Sequence, residues 1–137
     1  MNYWLLKSEP DTFSWTDMVK KKNTGWDGVR NHQAANNMKA MKLGDRCFFY
    51  HSGEEKRIVG VVEVSGLYGP DPSDESGRFG MVTVKAMAPL KTPVTLAAIK
   101  ADPKLDHLLL VRHSRLSVSP IDAAAWKRIC DLGGVKA

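Results

Sequence analysis

Gly25-Trp26-Asp27-Gly28-Val29-Arg30-Asn31-His32-Gln33 packs a large aromatic, a carboxylate, a guanidinium and an amide into one short stretch. Gly25 and Gly28 punctuate it as a tight turn leading into a helix. These residue types suit a grip on a flat, hydrogen-bonding ligand. An indole face stacks on a nucleobase for about 1–3 kcal/mol. An asparagine amide offers donor and acceptor together, the pattern that pairs with a base edge. A guanidinium meets two oxygens of a phosphate or carboxylate at once. The same residues admit a plainer reading, with Trp26 in the core and Asp27 merely holding the turn.

Three other stretches carry comparable chemistry. Lys7-Ser8-Glu9-Pro10 puts a cation, a hydroxyl and a carboxylate at the end of an apolar run, where they either line a cavity or are solvated. Phe48-Phe49-Tyr50-His51-Ser52 alternates, with Phe48 and Tyr50 on one face and Phe49 and His51 on the other. One pair is expected in the core. The other could wall a pocket, with Tyr50 through Ser52 nearest a ligand. Arg112-His113-Ser114-Arg115-Leu116-Ser117 is either an exposed basic loop or a cradle for phosphate.

Several chemistries are excluded by pattern. There is no phosphate-binding loop of the Walker type, no G-x-G-x-x-G and no G-x-S-x-G. His32, His51, His107 and His113 are not spaced with the cysteines as a zinc site requires, so neither metal nor cofactor is expected. Cys47 and Cys130 sit among apolar neighbours and read as buried reduced thiols of a cytoplasmic protein. The apolar run at the N-terminus stops at Lys7, and no stretch is long enough to span a bilayer. A net charge of +5 tilts the partner toward a phosphate-bearing ligand. Lys20-Lys21-Lys22, the densest basic run, fits a solvated helix end.

The elements that must position these groups follow from periodicity. Tyr3–Lys7 reads as a buried strand ended by Pro10. Ser14 caps a short helix, with Asp17 completing a capping box and Trp15, Met18 and Val19 giving one apolar face. Ala34, Met38 and Met41 recur at helical spacing, and Leu43-Gly44-Asp45 ends that helix. Arg46–His51, Ile58–Val64 and Met81–Ala86 read as strands. Ser52–Glu55 is a hairpin loop, and Tyr68–Gly77, rich in Pro, Gly, Asp and Ser, is expected to be a mobile surface loop. Thr95 caps a short helix, Leu108–Val111 is ambiguous, and Leu116-Ser117-Val118 alternates like a strand. Ser119-Pro120-Ile121-Asp122 reads as the start of a last helix with Ala125, Ile129 and Leu132 on one face and Gly133 ending it. With no repeat or linker, residues 1–137 are expected to form a single α+β domain with a small curled sheet or partial barrel.

Taken together, Tyr3–Pro10, Trp26–Ala34, Phe49–Ser52 and Arg112–Val118 resemble the EVE family, in the wider PUA-like group that includes YTH and ASCH domains. The pieces occur in family order and span essentially the whole chain, which as a free-standing domain resembles the bacterial members. The resemblance implies a PUA-like β-pseudobarrel of about five to six short strands with flanking helices. It implies a monomeric, non-enzymatic reader whose aromatic-lined pocket takes a modified nucleobase, with modified cytosine in DNA as the usual ligand and RNA as the other option. Carried over residue by residue, the pocket comprises Lys7, Ser8, Trp26, Asn31, Tyr50, His51, Arg112 and Ser114, with Arg30 and Arg115 at phosphates. The alternative is a hydrolase acting on a modified nucleoside, as in some ASCH relatives, with Lys7, Ser8 and Glu9 as base, nucleophile partner and acid. The sequence shows no activated nucleophile for that role.

Overall fold

The continuous apolar run Tyr3-Trp4-Leu5-Leu6 in the first strand commits it to burial on both faces. In the computed structural model, which describes residues 1–136, Tyr3–Ser8 (β1) lies inside a six-stranded mixed sheet. It pairs in parallel with Arg46–His51 (β3) and antiparallel with Val118–Ile121 (β6). Arg57–Pro70 (β4) and Gly80–Thr95 (β5) extend the sheet beyond β3, and Asn23–Gly25 (β2) forms the far edge. The α+β expectation holds. The sheet is nevertheless open rather than closed, and β4 and β5 run to 14 and 16 residues. Repeated register shifts between β4 and β5, and one at Phe49/Tyr50, curl it without closing it.

Strand alternation sorts the core into two layers. Trp4, Leu6, Cys47, Phe49, Val62 and Val84 face one side, under Trp15–Lys21 (α1) and His32–Ala40 (α2). Leu5, Phe48, Tyr50 and Ile58 face the other. There they meet Leu96–Ala101 (α3), Leu109–Arg112 (α4) and Ala123–Gly133 (α5). Trp126 of α5 stacks between Tyr3 and Phe48, with ring centroids 4.6 and 3.9 Å away. Cys47 and Cys130 are free and buried, and burial drives both thiols toward the protonated form, Cys130 to about 11. Among the described residues no helix is long and apolar enough to cross a membrane.

Local signals explain most element ends. Ser14 and Asp17 form the capping box on α1, and Thr95 caps α3 through its hydroxyl. Three expectations are corrected. Pro120 lies inside β6 rather than opening a helix; an edge strand tolerates a missing N–H, and Asp122 supplies the cap of α5 instead. Gly134, in the left-handed conformation at φ 69°, ends that helix one residue later than expected. Val19 and Leu132 turn outward, because α1 and α5 cover the sheet with narrower stripes than their sequences suggest.

Candidate base-binding site

The C-terminal end of β1 opens a cavity of about 480 Å³. Lys7 and Ser8 form its floor, Glu9, Thr12 and Phe13 one wall, and Thr24 through Gly28 with Lys21 the other. Trp26 is held there because its backbone N–H continues the β2–β5 pairing, donating to Val82 O at 2.7 Å. Its ring meets Phe49 and Phe13 edge-to-face, at 5.4 and 6.3 Å, and keeps 8 % exposure. Trp26 is therefore a core residue first, and it also borders the cavity.

Lys7 and Ser8 follow one another along a strand, so their side chains leave on opposite faces. Lys7 lies over the Tyr50 ring, 5.9 Å from its centre, and its Nζ donates to Ser114 O at 2.7 Å. Burial lowers its pKa. Ser8 Oγ donates to Phe13 O and fixes the Glu9–Phe13 loop. Among the described residues, Lys7 and Ser8 therefore hydrogen-bond to separate backbone carbonyls rather than to each other.

A second, shallower cavity of about 340 Å³ is lined by Asn31, Gln33 and Arg112–Leu116. Asn31 caps α2: its Oδ1 accepts from Ala34 N at 2.9 Å, while its amide N–H groups make no hydrogen bond among the described residues. Arg112 donates Nε to Asp106 O at 3.0 Å, and Arg112, Ser114 and Arg115 are exposed. The Lys7–Ser114 hydrogen bond links the floor of the first cavity to the rim of the second.

The expected set thus divides. Lys7, Ser8 and Trp26 line the first cavity; Asn31, Arg112, Ser114 and Arg115 line the second. Tyr50 and His51 line neither. Tyr50 belongs to the opposite core layer, where burial raises its pKa. His51 Nε2 accepts from Trp15 N at 3.0 Å, so its proton sits on Nδ1, 2.9 Å from Glu55 Oε1. The hydrogen bond from His51, helped by Arg57, lowers the pKa of Glu55. Both ring nitrogens of His51 are thus occupied, Nε2 at the start of α1 and Nδ1 on Glu55 in the turn after β3. Arg30 points away from the basic loop, toward Asp71 and Ser73.

Sequence reasoning did not single out Phe13, whose position one before the Ser14 cap and five before Met18 is that of a hydrophobic staple. That signal was present, but it predicts packing rather than a cavity wall. It also missed Asp71, whose carboxylate holds Gly28 N and Arg30.

Comparisons with known proteins agree with the fold. The EVE domain profile matches residues 2–132. An NMR structure of a protein from Rhodopseudomonas palustris is 52 % identical, with TM-score 0.92 over 98 % of this chain and 94 % of that one. Human thymocyte nuclear protein 1 is 31 % identical across 88 % of this chain and 68 % of its own length. A crystal structure of human THYN1 in complex with 5-methylcytosine-containing DNA superposes with TM-score 0.90 at 30 % identity, covering both chains fully. With the family profile spanning nearly all of its length, this chain belongs to the EVE domain family.

Proposed function

We propose that the chain is a non-enzymatic reader that takes a modified nucleobase, of the methylated-cytosine class, into the cavity between the end of β1 and the Trp26 turn. The carrying observation is the pairing of two adjacent cavities of different character. One is walled by Trp26 and Phe13 over Lys7 and Ser8, and the other is rimmed by Arg112 and Arg115. The human relative in complex with 5-methylcytosine DNA supports the same reading. The first cavity falls in the usual range for small-ligand sites, about 300–1,000 Å³.

Entry of a base requires unstacking, which costs a few kcal/mol in a duplex and less in a single strand. Contact with Trp26 and Phe13 offsets this by about 1–3 kcal/mol. A buried methyl adds only about 0.8 kcal/mol, roughly a fourfold preference. Lys7, Lys21, Arg112 and Arg115 supply charge at the rim, so affinity falls as salt rises.

The test is an anisotropy titration of oligonucleotides carrying cytosine, 5-methylcytosine or 5-hydroxymethylcytosine, as DNA and as RNA, single- and double-stranded. Because Trp26 is buried, Trp26→Phe and Trp26→Leu are better variants than Trp26→Ala, which risks unfolding the chain. A base-dependent affinity weakened by both variants is expected. Equal affinity for every oligonucleotide, untouched by either variant, sinks the proposal.

A further inference from the structure

The excursion between β4 and β5 is a folded clasp rather than the loose loop its composition suggests. Asp71, at its root, has a side chain with 0 % exposure. Its Oδ2 accepts from Gly28 N at 2.9 Å and Arg30 Nη1 at 3.2 Å. Its Oδ1 accepts from Ser73 N and Ser73 Oγ at 2.8 and 2.6 Å. Arg30 closes the ring by donating Nη2 to Ser73 Oγ at 3.0 Å and Nη1 to Val29 O at 3.0 Å. Asp74 then folds the tip, accepting from Ser76 and from Phe79 N, and Phe79 packs between Arg30 and His32.

Among the described residues, the side-chain hydrogen bonds and ring contacts that the clasp makes outside itself fall on Gly28, Arg30 and His32, between Trp26 and the start of α2. Gly28 needs that support. It sits at φ 80°, its added Cβ would meet nothing within 4 Å, and the Asp71 carboxylate is its hydrogen-bond partner. We propose that Asp71 is a positioning residue for base recognition: through Gly28 and Arg30 it holds the turn that sets Trp26 against the first cavity and Asn31 against the second. The inference rests on the base-reading function proposed above. It also reassigns Arg30, expected at a phosphate, to an internal role.

A binding site held by its scaffold loses affinity when the support is cut, because the ligand must then order the turn itself. For Asp71→Ala we expect affinity for a 5-methylcytosine oligonucleotide to fall about tenfold, a part of the stacking contribution. Affinity for the same oligonucleotide with an abasic site at that position should stay within twofold. Hydrogen exchange at the Gly28 amide should speed up. Asp71→Asn, whose one oxygen can still accept from Gly28 and Arg30 but whose NH2 then opposes the Ser73 N–H, should fall between.

Ile129→Val, in the opposite core layer, controls for general destabilisation. Wild-type affinity in Asp71→Ala, or an equal loss in Ile129→Val at matched change in Tm, would overturn the positioning role. If the unmodified chain does not distinguish base-bearing from abasic oligonucleotides, the base reading itself fails and this inference goes with it.

Discussion

Two glycines make a matched test of how rigid the aromatic layer beneath the site is. A Cβ built on Gly60 lands 2.5, 2.5 and 2.6 Å from three ring carbons of Trp15. One built on Gly25 lands 2.5 and 2.6 Å from Sδ and Cε of Met81. The overlaps are equal, but the neighbours are not. Met81 is partly exposed and ends in rotatable bonds, so its tip can swing aside. The Trp15 ring is wedged against Phe49 at 5.4 Å, and its backbone N–H is held by His51. Overpacking against an unyielding neighbour costs about 1–3 kcal/mol. Replacing glycine by alanine returns about 0.4–1 kcal/mol by restricting the unfolded chain. Gly60→Ala should therefore destabilise by about 1–2 kcal/mol, lowering Tm by roughly 4 °C per kcal/mol. Gly25→Ala should lie within about 0.5 kcal/mol of wild type. Urea unfolding followed by far-UV circular dichroism measures both, and the Trp15 indole resonance should shift only in Gly60→Ala. A Gly25→Ala loss equal to or larger than that of Gly60→Ala refutes the reasoning.

Other outcomes follow from single contacts. Asp71 is pulled two ways: burial raises its pKa, but hydrogen bonds from Ser73, Gly28 and Arg30 outweigh it and hold the carboxyl at about 2. A depressed folded-state pKa stabilises above the unfolded value of about 3.9, and that contribution is lost as pH falls toward 2. The acid limb of an unfolding curve should thus flatten between pH 4 and 2 in Asp71→Asn, and an unchanged limb contradicts the assignment. His51→Ala leaves the Trp15 N–H without its acceptor and should cost about 1–3 kcal/mol in a denaturant titration, with His51→Gln recovering part. Asp45→Ala strips partners from Trp4 Nε1, Asn2 N and Lys42 N, and should lower stability by a similar or larger amount. Arg115→Gln should weaken all oligonucleotides alike and flatten the plot of log affinity against log salt by about 0.7–0.9. A change confined to the modified base would argue against a phosphate role.

Much of the frame was legible because it is local. Arg46–His51 emerged with its observed bounds from aromatic alternation, and α2 from the helical spacing of Ala34 and Met38. The Ser14 and Thr95 caps were equally plain. What escaped depends on distant partners. β4 and β5 run past their apolar stretches because each pairs with the other through register shifts that tolerate glycine and polar residues. Asp71 sits in a stretch whose composition spells a loop, and only Gly28 and Arg30, more than forty positions away, turn it into an anchor. Tyr50 and His51 show the same limit from the other side. Alternation placed them on opposite faces, but not which face had room for a ligand.

The place of β1 in the sheet also bears on how the chain acquires its shape. β1 leaves the ribosome more than a hundred residues ahead of the strand it pairs with on one side: Leu5 must wait for Ser119, and Lys7 N for Ser117 O. Such pairings carry high contact order, which slows folding because long loops must close before the contacts reward them. Until residues 117–121 emerge, Tyr3–Ser8 presents an unpaired, largely apolar edge, the kind that recruits other strands. The floor of the first cavity is laid on that strand. Nascent chains halted before β6 should therefore be prone to associate, and that makes β6 a gatekeeper of solubility as much as of shape.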